Sequence, residues 1–268
     1  MRAFPSISTI PALLLLASAA QAHNPVFSTG PHVLYKEGIE IHLGSDRQEA
    51  GSQKESELAL ELTYGLTGDW AAGISLPYKQ IDTEAGESSG RGETRLFTKY
   101  RFWRQDSLGV QESAAVLARL MLDDGDPRLG SGTTDLLLGA TYGYESLRWY
   151  RWSSLRYRRN GEDEAELRRG EAGLIDLALG YRPTLPRYLQ PDTVWILELN
   201  GEFNRPTRID GAEMADSGGS QWFVSPGIFW TLRNFAIKAG MQLPVASSLR
   251  GDQPETDYRA KLELEWHL

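Results

Sequence analysis

The 268-residue chain has no cysteine, which excludes a disulfide framework and any thiolate metal site. It has only four methionines and four histidines, few for a protein that handles soft metals in bulk. Acidic side chains outnumber basic ones by 36 to 28, and no basic patch offers itself to nucleic acid. Beyond residue 22 no apolar run approaches the ~18 residues that a spanning helix needs. A chain this polar crosses a membrane only as a closed barrel, in which every backbone group is paired between strands.

What is present at the N-terminus is an address. Arg2, the run "IPALLLLASAA" and the small-x-small site Ala20–Ala22 together form a secretory signal peptide over residues 1–22. The mature chain then starts at His23 and carries 27 basic against 36 acidic residues, a net charge of −9.

Read at period two, the mature chain resolves into alternating segments. Leu58, Leu60, Leu62 and Tyr64 alternate with Glu57, Ala59, Glu61 and Thr63; Trp195, Leu197 and Leu199 alternate with Ile196, Glu198 and Asn200. Twelve such segments fall at 34–44, 55–66, 70–80, 92–104, 112–122, 133–144, 148–159, 170–182, 193–204, 219–230, 234–245 and 257–268. Short turns alternate with longer Gly-, Ser- and acid-rich loops such as "SDRQEAGSQK" and "DDGDPRLGSG", the Pro-rich turn at 183–191 excepted. This pattern predicts an all-β fold, a closed antiparallel transmembrane β-barrel of about 12 strands in the cell outer membrane. Residues 23–33 form an N-terminal periplasmic segment and 34–268 the barrel, with long loops outside and both termini on the periplasmic side. The final strand, "DYRAKLELEWHL", pairs with the first and so leaves no edge. Its aromatic, apolar terminus suits the barrel-assembly machinery, and outer-membrane lipid and lipopolysaccharide are the surrounding partners.

The aromatic positions decide which face is outside. Trp70 and Tyr78, Trp195 and Phe203, Trp222 and Trp230, and Tyr258 and Trp266 are pairs eight residues apart, each on the apolar face of its strand. Eight residues at ~3.3 Å, tilted ~40°, rise roughly 20 Å, close to the ~25 Å band between two aromatic girdles. The apolar face is therefore the lipid face, and the charged residues line the lumen.

Three stretches, "LTGDWAAGISLPY", "GSGTTDLLLGATYGYES" and "FVSPGIFWTLRNFAIKAGMQLPV", resemble the outer-membrane transporter family named for the meta-pathway of phenol degradation. The resemblance covers most of the mature chain and implies a barrel acting as a channel or transporter for small compounds, aromatic ones included. It brings no catalytic residue.

Strand parity places Arg95, Lys99, Arg101, Arg119, Arg156 and Arg158 on a basic lumen wall, and Glu40, Glu57, Glu61, Asp176, Glu198 and Glu202 on an acidic one. Two readings stay open: a transverse field across a water-filled pore, or lateral charge pairs that stiffen a plugged barrel. His42 falls near the outer end of the first strand. His23, His32 and His267 converge on the periplasmic rim, where an N-terminal amine and three imidazoles suit a copper- or zinc-like ion; the alternative is an N-terminal segment that simply packs at, or partly plugs, the periplasmic mouth. No other cofactor is implied. Ser45 and Asp46 lie near His42 in sequence, yet no motif fixes a hydrolase geometry, and "GDPRLGSGTTD" lacks the Gly-Lys-Ser/Thr of a phosphate loop. The expectation is a non-enzymatic channel for a small-molecule solute.

Overall fold

The computed structural model describes residues 24–187 and 189–268; the expected signal peptide and His23 lie outside the described residues. The strands are β1 (Ile39–Ala50), β2 (Gln53–Gly65), β3 (Trp70–Thr83), β4 (Gly86–Arg91), β5 (Arg95–Ser107), β6 (Val110–Met121), β7 (Asp135–Ser146), β8 (Trp149–Arg159), β9 (Leu167–Arg168), β10 (Ala172–Tyr181), β11 (Asp192–Asn204), β12 (Arg208–Ile209), β13 (Ala212–Glu213), β14 (Gly219–Leu232), β15 (Phe235–Leu249) and β16 (Tyr258–His267). Twelve of them close into an antiparallel barrel in the order β1-β2-β3-β5-β6-β7-β8-β10-β11-β14-β15-β16 and back to β1. At the closing seam Glu40 lies opposite His267, and Glu49 opposite Tyr258. The pairing of β1 with β16 closes the wall on itself, so the ladder groups are met between strands without water.

The burial pattern is that of a lipid-facing wall. Along β11, Trp195 and Leu197 are more than half exposed, whereas Ile196 and Glu198 are buried. In water such a face would aggregate; against acyl chains it is the favoured solvent. The girdle positions pack ring against ring across strands: Phe235 with Trp266 at 5.1 Å and Trp149 with Tyr181 at 4.7 Å, both tilted, at the short-turn end, which the sequence reading assigns to the periplasm, and Phe203 edge-on to Trp222 at 5.6 Å at the other.

The structure departs from the sequence reading in three places. β1 begins at Ile39, because residues 34–38 belong to the N-terminal segment. His42 therefore sits near the periplasmic end of β1, not its outer end. The stretch "SDRQEAGSQK" is not a loop: β1 and β2 extend to a two-residue turn at Gly51 and Ser52, where Gly51 takes φ +58°, the left-handed conformation that such hairpins favour. The outer connections carry structure of their own, since β4 folds back on β3, and β9, β12 and β13 form a separate three-stranded sheet.

The outer loops are also tied to one another. Asp124 accepts hydrogen bonds from the Thr94 backbone N–H at 2.8 Å and hydroxyl at 2.7 Å, with Arg91 beside it. These donors hold its carboxyl below the usual carboxylate range. A depressed folded-state pKa stabilises this loop contact above the ordinary carboxylate pKa, and the effect is lost as pH falls through the depressed value. A carbon-13 NMR titration of Asp124 should give a midpoint below the ~3.9 of a free aspartate. Thr94→Val should move that midpoint upward.

Candidate functional site

The lumen is narrowed by the chain's own N-terminal segment. Residues 24–38 enter from the short-turn end of the barrel, where the Tyr35 hydroxyl donates to the Leu268 carbonyl at 2.6 Å, and reach Glu198. Glu198 is 1% exposed, and its carboxylate accepts three successive backbone N–H groups: Val26 at 2.7 Å, Phe27 at 3.0 Å and Ser28 at 2.8 Å. A buried carboxylate is tolerable when its lone pairs are met in this way, and the backbone turn gains an anion. Further contacts fix the register. The Thr141 hydroxyl donates to the Thr29 carbonyl at 2.6 Å, and Lys99 Nζ to the Gly30 carbonyl at 3.0 Å. His32 bonds Glu145 near the periplasmic end.

Packing holds the segment to one side. Val26 and Phe27 join Tyr150, Trp152, Ala178, Val194, Ile196, Phe229 and Ala236, all inward-facing on β8, β10, β11, β14 and β15. Gly143 and Gly227 make room for it: a β-carbon at Gly143 would lie 2.8 Å from Pro31, and one at Gly227 2.9 Å from Val26.

The opposite side of the lumen remains hollow. A cavity of about 240 Å³ lies against residues 24–29, and one of about 750 Å³ opens from His32–Tyr35 toward the periplasmic turns. Both are bordered by Asn24, His42, Glu61, Phe97 and Lys99, the lining the two cavities share.

The charged walls do not stay apart. Arg95 forms a bidentate pair with Glu57 at 2.6 Å, reaching over the small inward residues of β3, and Arg156 pairs with Asp176 at 2.8 Å. Glu202 is taken by Arg259, and Glu198 by the N-terminal segment. Lys238 and Lys261 stand among the acids of β1 and β16, so the acidic wall carries its own cations. Arg101 turns to Asp69 and the Gly68 carbonyl at the periplasmic turn. Lys99, Arg119 and Arg158 make no ion pair among the described residues; Arg119 lies over the Phe97 ring, 5.8 Å from its centre. A segregated transverse field is thus replaced by local pairs, with Lys99 and Arg119 left facing the passage beside Glu61.

No protein-family model and no curated protein matches the sequence. Solved structures do match. An outer membrane channel from Pseudomonas putida F1 superposes with a TM-score of 0.72 at 14% identity, over 89% of this chain and 98% of that one. The NanC porin gives 0.54 at 9% identity, over 85% and 100%, and the β domain of the Bordetella autotransporter BrkA 0.51 at 15%, over 86% and 99%. At these identities the likeness is one of fold. The shared architecture is that of an outer-membrane barrel.

Of the expected histidine set, His23 lies outside the described residues, and His32 and His267 border the same large cavity but make separate contacts. His32 is engaged by Glu145, whereas His267 bonds Glu265 through Nε2 at 2.6 Å and Glu40 through Nδ1 at 3.1 Å. The donor atoms drawn together with His267 are carboxylates, because strand register sets Glu40 directly opposite it. Parity alone hides such a cluster, since it depends on which residues face each other across the seam. His42 turns to Glu40 at 2.6 Å, while Asp46 pairs with Lys261 at 3.9 Å, so His42 and Asp46 are not paired with each other.

Proposed function

We propose that the chain is a passive outer-membrane channel for small solutes, with a preference for anionic ones. The observation that carries this reading lies at the lining shared by the two lumen cavities: among the described residues, neither Lys99 there nor Arg119 beside it on the smaller cavity has an acidic partner within ion-pair distance. A fixed cation in a narrow, low-dielectric passage lowers the barrier for anions and raises it for cations. The inner cavity, about 240 Å³, exceeds the ~150 Å³ that suffices for benzene. A one-ring carboxylate is therefore within its reach, in keeping with the aromatic solutes that the family resemblance implies. Lipopolysaccharide would meet the outer loops, and the assembly machinery the β16 strand.

The test is single-channel recording of the refolded mature protein in a planar bilayer under a potassium chloride gradient. Discrete small steps with a reversal potential on the chloride side are expected. Silence from a folded, heat-modifiable barrel would overturn the channel reading and leave the plugged barrel, which the seat of residues 26–28 on Glu198 favours.

A further inference from the structure

At the periplasmic end of the closing seam, β1 and β16 bring Glu40, Glu265 and His267 together, with one ligand atom from each within 4.8 Å of the others. His42, register partner of Glu265, stands beside them: its Nε2 is 2.6 Å from Glu40 Oε1 and 3.6 Å from Glu265 Oε2. Glu265 is 3% exposed, and Glu40, His42 and His267 open onto the larger cavity, so the cluster is both shielded and reachable from the periplasm.

We propose that this cluster is a binding site for a divalent transition ion of the zinc type, clipping the first strand of the barrel to the last. Imidazole with carboxylate is a borderline donor set suited to such an ion, and it lacks the six or more oxygens that calcium prefers. The His267 ring lies between two carboxylates, with Glu40 Oε2 3.1 Å from Nδ1 and Glu265 Oε1 2.6 Å from Nε2, so its tautomer and orientation are already set by groups of the cluster. On binding, the ion replaces the proton shared between His267 Nε2 and Glu265, and that proton leaves to solvent.

The surrounding charge also favours a cation. The contact network runs from Asp46 through Lys261, Glu263, Lys238, Glu265 and His267 to Glu40 and His42. Once that shared proton has left and both imidazoles are neutral, the four carboxylates and two lysines leave an excess of two negative charges for the ion to meet. Lys238 does not fill the site, since it bonds Glu265 through Oε2 at 3.2 Å, and Oε1 faces the histidine. An ion here would tie together strands whose pairing closes the barrel, and the folded state would gain stability in proportion to its occupancy.

Isothermal titration of Zn²⁺ into the untagged, refolded barrel tests this, run in two buffers of different ionisation enthalpy to count released protons. One site with proton release is expected, together with a rise in the temperature at which the heat-modifiable form is lost. Co²⁺ in place of Zn²⁺ should give the strong visible absorption of a low-coordinate nitrogen and oxygen site. Glu265→Gln and His267→Ala should each weaken binding at least tenfold; Glu40→Gln should do so as well, and serves if either of the others fails to fold. His32→Ala should leave affinity unchanged. Absence of a saturable site in the wild-type barrel, or affinity lost with His32→Ala and kept in Glu265→Gln, would overturn the assignment. These readouts are independent of whether the lumen conducts.

Discussion

Removal of residues 24–30 is expected to raise the single-channel conductance severalfold. Val26 and Phe27 pack against the wall of β8, β10, β11, β14 and β15, and the open space beside the segment is a cavity of about 240 Å³, which confines the ion path. An extended chain with its side chains occupies roughly 5 by 10 Å of cross-section, a large share of the interior of a twelve-stranded barrel. The barrel itself should survive the deletion, because its backbone ladders close without help from the segment. Glu198 would then be solvated by the water that replaces Val26, Phe27 and Ser28. Glu198→Gln should give an intermediate result: an amide keeps one acceptor oxygen for three donors, so the segment leaves its seat part of the time and the record flickers between two levels. Unchanged conductance in the deletion would place the limiting constriction in the outer loops instead.

Much of the barrel was readable from alternation because the lipid face imposes a period of two that no loop interrupts for long. β11 is the plainest instance, with Trp195, Leu197 and Leu199 outward and Ile196, Glu198 and Asn200 inward. The N-terminal segment was not readable in this way, since a plug is chosen by contacts distant in sequence, such as Val26 with Glu198. A signal was nonetheless present. Trp152, Val194, Ile196 and Phe229 lie on the lumen face by parity, and such side chains would be poorly placed against water alone. Apolar lumen positions confined to one side of the barrel announce that something covers them. The charge pairs were hidden for a related reason. Parity assigns Arg95 and Glu57 to the same interior, but that they meet depends on the small inward residues of intervening β3, Ser75 among them.

Reversing two charges, Lys99→Glu with Arg119→Glu, is expected to turn the channel from anion- to cation-preferring. Arg95 is neutralised by Glu57 and Arg101 by Asp69, so neither adds much net field to the passage. Among the described residues Lys99 donates to the Gly30 carbonyl and Arg119 lies over the Phe97 ring, and neither has an acid within 4 Å. A unit charge acting at ~4 Å through an effective dielectric of ~20 is worth about 4 kcal/mol, and 1.4 kcal/mol is a tenfold ratio. Even after solvent screening, reversing both signs should change the chloride-to-potassium permeability ratio by more than about tenfold. The effect should shrink as salt rises from 0.1 M toward 1 M, where the screening length falls from ~10 to ~3 Å. Arg101→Glu is the matched control: it alters charge on the same strand yet lies at the periplasmic turn with Asp69, so selectivity should barely move. If Arg101→Glu reverses selectivity and the double variant does not, the selective step lies at the periplasmic rim, and the lining shared by the two cavities marks only a wide point on the path.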